Sequence, residues 1–201
     1  MSTDSNDFDS WLKENLYRDI VFRSIIWSTI SYATGYLAIL YRGIKPIEYF
    51  SGMAKPLMQL INTVGTFSLL LCVLALMLKD LEVTLSCPIR INATRGLLGG
   101  FVRRLAGDLS LWTLGAFLTV ATTTMLVMFN SNMNRSDYVL VGLLLLLLSV
   151  FIVFIAAANV LVRRKIPTGL EHKINDPRII AVIYLVVLII LISILLFFAK
   201  T

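Results

Sequence analysis

Apolar residues fall in five long runs, Ser24–Tyr41, Leu57–Leu78, Leu109–Phe129, Tyr138–Val162 and Ile179–Ala199. Each approaches the roughly 20 residues that a helix needs to cross the hydrocarbon of a bilayer. The second, fourth and fifth are unambiguous. The third holds a cluster of threonines but no charge. The first is the weakest, broken by Ser28, Thr29, Ser31, Thr34 and Gly35 and bracketed by Arg23 and Arg42. Before it, Phe8, Trp11, Leu12, Leu16 and Ile20 recur at helical spacing among acidic residues. That pattern predicts an amphipathic N-terminal helix over 1–20, lying on headgroups or docked on another protein. The fold expected is an all-α polytopic membrane protein with five transmembrane helices.

One stretch changes period. From Leu81 to Asn92 the apolar residues Leu81, Val83, Leu85, Cys87, Ile89 and Ile91 alternate with Glu82, Thr84, Ser86, Pro88 and Arg90. Period two is the signature of a strand, and Pro88 limits it to an edge or an end. A lone strand leaves its backbone groups unpaired. The loop between the fourth and fifth runs supplies a second alternating piece, with Leu170, His172 and Ile174 apolar or aromatic between Glu171, Lys173 and Asn175. A small β element is therefore expected from the loops 79–108 and 163–178. Its docking residues would be Leu81, Val83, Leu85, Ile89, Ile91, Leu170 and Ile174, open to a strand from a partner. The rest of the first loop, with Leu97, Leu98, Phe101, Val102 and Leu105 at helical spacing, reads as an interfacial helix preceding the third span.

Composition agrees with lipid as the solvent, since 58% of the 201 residues are hydrophobic and the mean hydropathy is +0.84. Charge then sets the orientation. If all five runs span, 13 of the 18 lysines and arginines share the side of the N-terminus and of the two long loops. The positive-inside rule makes that side cytoplasmic and puts the C-terminus outside. The acidic first twenty residues lack the basic start and cleavage site of a signal peptide. Arg103, Arg104, Arg163, Arg164 and Lys165 lie where anionic lipid headgroups or an acidic partner would meet them. Two cysteines, Cys72 in a span and Cys87 in a loop, make no disulfide framework.

Within the runs no acidic or basic side chain lies deep, which argues against an ion-coupled transporter. Milder polarity remains. Gln59, Asn62, Thr63 and Thr66 fall at i, i+3, i+4 and i+7, and Gly115, Thr119, Thr122 and Thr123 form a comparable face on the third run. Polar atoms in hydrocarbon need partners, so Asn62, Thr63, Thr66, Thr119, Thr122 and Thr123 are expected at a helix interface or a pore. The fourth and fifth spans should lie outermost.

Catalytic templates fail. His172 is the single histidine, and neither a zinc motif, a nucleophile elbow nor a phosphate loop occurs. No cofactor or metal is expected, and the basic residues hug span ends instead of forming a nucleic-acid surface. Two readings of function follow. The first is a non-enzymatic membrane subunit that anchors, or reports membrane state to, a cytosolic protein, with self-association in the membrane. The second is an oligomeric channel lined by threonine and asparagine of the first three spans. By architecture alone, the setting expected is the inner membrane of a bacterium, in a toxin, immunity or phage-defence system.

Overall fold

The computed structural model describes residues 15–84, 92–163, 174 and 176–198, excluding the side chains at 82, 83, 92–100 and 194–198. These residues form helix α1 (Leu16–Arg42), α2 (Pro46–Leu60), a π-helical segment (Ile61–Gly65), α3 (Thr66–Thr84), α4 (Asn92–Asn130), α5 (Arg135–Arg163) and α6 (Pro177–Phe198). No strand occurs among the described residues. Among the described residues, three stretches are long and apolar enough to cross a membrane: Pro46–Leu81, Phe101–Asn130 and Arg135–Arg163. They carry the second, third and fourth runs and place the chain among helical membrane proteins. Helix α1, with Arg18, Asp19 and Arg23 in its first two turns, does not reach that threshold, and the apolar stretch of α6 over Pro177–Ser193 is shorter.

Local chemistry sets the helix ends. Gly43 adopts a left-handed conformation (φ 62°) and donates its N–H to the Ile39 carbonyl at 3.1 Å, closing α1. That φ favours a residue without Cβ. Pro46 then opens α2, where its missing N–H costs nothing. Asp137 accepts the Asn134 N–H at 3.4 Å, one half of a capping box for α5. Asp176 accepts the Arg178 N–H at 2.9 Å and starts α6.

Two expectations change here. The strand predicted from Leu81 does not begin there, because Leu81 and Val83 belong to the last turn of α3. Leu81–Thr84 holds no proline or glycine, so the helix propagates past the charged pair Lys79-Asp80, and a four-residue alternation is too short to oppose it. Leu85, Ile89, Ile91 and Leu170 lie outside the described residues, and Ile174 is half-buried outside any helix. The interfacial helix and the third span are also one element. Helix α4 runs unbroken for 39 residues, roughly 58 Å, because its glycines weaken a helix without the backbone clash that proline brings.

The helices build two compact units, one from Met1–Val64 with Leu111–Ala157, the other from Gly65–Ser110 with Ala158–Thr201. In the first, Trp27 meets Gly115, Ser31 meets Thr119 and Gly35 meets Leu126, so α1 and α4 run in the same direction. Val120, Ala121 and Leu148 form its apolar centre, flanked by Phe50, Leu57 and Ile61, and Phe117 stacks on Phe151 with ring centres 5.6 Å apart. In the second, Cys72, Ala75, Val102, Ala106 and Val162 are buried together, and α3 packs along α6. Helix α4 is the most enclosed, with 61% of its apolar stretch buried against 6% for α5.

Candidate functional site

The second unit links polar groups of four helices. Helix α3 carries Lys79 and Asp80 into the interior, where they are 4% and 0% exposed. Charges so enclosed persist only with partners. The Tyr184 hydroxyl of α6 donates to Asp80 Oδ2 at 2.6 Å, and Lys79 Nζ donates to the Leu161 carbonyl of α5 at 3.5 Å. From α5, Asn159 Nδ2 donates to the Gly107 carbonyl at 2.7 Å and to Ser110 Oγ at 2.5 Å, both on α4. Arg163 pairs with Asp108 at 2.7 Å. A Cβ on Gly107 would stand 2.7 Å from Arg163 Nε, so glycine lets the arginine stem lie across α4. Polar contacts thus tie α3 to α5 and α6, and α5 to α4.

The sequence signal for this centre lies in a few scattered residues. Lys79-Asp80 reads as the edge of a span, Asn159 as a lone amide in an oily run, and Tyr184 as a lone hydroxyl in another. Only folding shows that Asp80 and Tyr184, 104 positions apart, share a hydrogen bond. No charged side chain lies within the five runs, but Lys79 and Asp80, just past the end of the second, are enclosed by protein. The fifth run is likewise not wholly peripheral, since Ile180 and Tyr184 are buried.

The asparagine is the pivot between α4 and α5. Replacing Asn159 by leucine should cost about 1–3 kcal/mol, because the Gly107 carbonyl and Ser110 hydroxyl lose a buried donor. Ser110→Ala should cost less, since Asn159 keeps its bond to Gly107. Reversible unfolding in mixed micelles, followed by circular dichroism, measures both.

The other predicted positions divide. Arg163 is engaged inside the unit by Asp108, Arg104 is exposed and Arg103 half-buried, and Arg164 and Lys165 lie outside the described residues. The positions of the two stripes differ in burial. Thr123 is buried and Thr119 and Thr122 are half-buried, whereas Asn62 and Thr63 are exposed and Thr66 half-buried. Hydroxyls of Thr119, Thr122, Thr123 and Thr124 each donate to carbonyls of their own helix at 2.7–3.1 Å. The Ser31 and Thr119 hydroxyls, 3.1 Å apart, join α1 to α4. Each of these α4 hydroxyls thus has a hydrogen-bond partner within the protein.

The polar centre offers hydrogen bonding and charge pairing among helices. No group of three metal-ligating side chains occurs among the described residues. Comparison with protein-family models, with curated proteins and with solved structures gives no match.

Proposed function

We propose that the chain is a non-enzymatic membrane subunit whose interlocked helix ends hold two segments, 85–91 and 164–173, for a cytosolic protein to dock on. The observation that carries this reading is the buried polar centre. It sits where α3 passes into one segment and α5 into the other, and its bonds reach α6 about two turns, and α4 about four turns, after each begins. A platform that fixes the helix ends from which two short segments leave would reduce the entropy lost when a partner binds.

Five spans with the N-terminus in the cytoplasm fit the same reading. The shared direction of α1 and α4 is what that topology requires, and the distribution of lysine and arginine favours it. The docking contacts would come from Leu85, Ile89, Ile91 and Leu170, with Arg164 and Lys165 adding charge. Purification through a tag in mild detergent, from the cells that make the protein, tests it. One soluble protein at fixed stoichiometry is expected, lost in the Leu85→Asp and Ile89→Asp variants while the membrane subunit stays folded. Retention of that protein in both variants would contradict the proposed docking surface. The channel reading has less behind it, because the inward threonines bond to their own helices.

A further inference from the structure

The π-helical segment Ile61–Gly65 interrupts the longest candidate span, and it carries an anomaly. Between Lys55 and Lys79 no residue is charged, so Pro56–Leu78 is the stretch that fits the hydrocarbon. Asn62 lies about five residues before its midpoint, about 7 Å inside a 30 Å hydrocarbon layer, and Gln59 about 3 Å inside. Both side chains are exposed, and neither has a hydrogen-bond partner among the described residues. Thr63 beside them is satisfied, donating to the Gln59 carbonyl at 2.9 Å. The two amides are not.

Lipid chains offer an amide nothing, and an unpaired polar group in hydrocarbon costs several kcal/mol. A side-chain amide carries both donor and acceptor, so its complement is another amide. The same face on a second chain supplies it. Across a two-fold axis in the membrane, Asn62 would pair with Asn62 of the other copy and Gln59 would flank the pair. The π segment contains Asn62 and begins two residues after Gln59, and such segments are frequent at functional sites. We infer that the Gln59–Asn62 face of the α2–α3 span is a homodimer interface, sealed by reciprocal amide hydrogen bonds between two copies of this chain.

This inference is independent of the cytosolic partner, since the face lies at a different part of the span from the docking segments in sequence. It is tested on the full chain in two ways. Native mass spectrometry from mild detergent should give a dimer for the wild type and for Asn62→Gln. Asn62→Leu, which suits a lipid-facing position, should weaken dimerisation about tenfold, in line with the modest strength of polar contacts between membrane helices. In a Cys72→Ala, Cys87→Ala background, Asn62→Cys should form an intermolecular disulfide in native membranes under mild oxidant, and Leu147→Cys, exposed on α5, should not. A monomeric wild type, an unchanged dimer in Asn62→Leu, or equal cross-linking at both cysteines would overturn it.

Discussion

Alanine at Asp80 should destabilise the protein by about 3 kcal/mol or more, the largest effect expected of any single polar substitution. The carboxylate is fully enclosed, and the Tyr184 hydroxyl points at it from 2.6 Å. Removing it deletes a charge-assisted hydrogen bond worth about 1.5–3 kcal/mol and leaves a cavity beside a buried hydroxyl. Asp80→Asn keeps the shape and an acceptor, so it should cost less. Tyr184→Phe should cost about 1.5–3 kcal/mol for the same bond. The double variant Asp80→Asn, Tyr184→Phe separates this contact from its surroundings. The two losses should fall short of additive by about 1 kcal/mol, within the coupling expected of touching side chains. Unfolding titrations in mixed micelles on the four proteins give the number. Additive losses would mean that the contact between Asp80 and Tyr184 contributes nothing of its own.

The second large effect belongs to the other unit and is steric. Gly115→Leu should separate α1 from α4 and cost about 1–3 kcal/mol by overpacking. A Cβ at Gly115 would stand 3.0–3.2 Å from three ring atoms of Trp27, and a leucine must push further into the indole. The same shift would pull Ser31 from Thr119, which are 3.1 Å apart. Gly35 repeats the arrangement about two turns along α1, where a Cβ would lie 2.9 Å from Leu126 Cδ2 and from Tyr49 Cε1. Close backbone approach through small residues is the usual way that helices pack in lipid, where the hydrophobic effect gives them no help. Trp27→Ala placed on top of Gly115→Leu should recover part of the loss. A double variant as unstable as Gly115→Leu alone would show that the indole is not what glycine accommodates.

What was legible in the chain was the solvent. Runs of roughly twenty apolar residues can hardly fold in water, and the structure contains helices of that length and character. Ser31, Gly35 and Gly115 break the apolar pattern of their runs, and the structure brings each against a neighbour. The misread stretch is instructive. Alternation over Leu81–Thr84 resembles a strand, yet the helix begun at Thr66 extends through it at little cost per residue. Local period loses to propagation there.

The polar centre was harder to see, for a physical reason. Lysine and aspartate at a span boundary are ordinary, and so is one tyrosine or asparagine in an apolar run. Their meaning depends on level along the bundle and on which faces meet, neither of which periodicity along one helix contains. Asn159 and Ser110 show this best. Each is unremarkable in its own helix, and together they tie α5 to α4 through a hydrogen bond spanning 49 positions. The stripe Gln59, Asn62, Thr63 posed the opposite difficulty. Its spacing was clear, but spacing alone could not say that Thr123 of α4 is buried while these amides stay exposed.

In-cell photocross-linking from the two segments puts the proposed anchoring role to the sharpest test. A photoreactive amino acid would replace Ser86 in one variant and Thr168 in another, with Ile44 between α1 and α2 as the control. Ser86 and Thr168 should capture the same soluble protein, and Ile44 should not. Capture of no soluble protein from either segment, or equal capture from Ile44, would contradict that role.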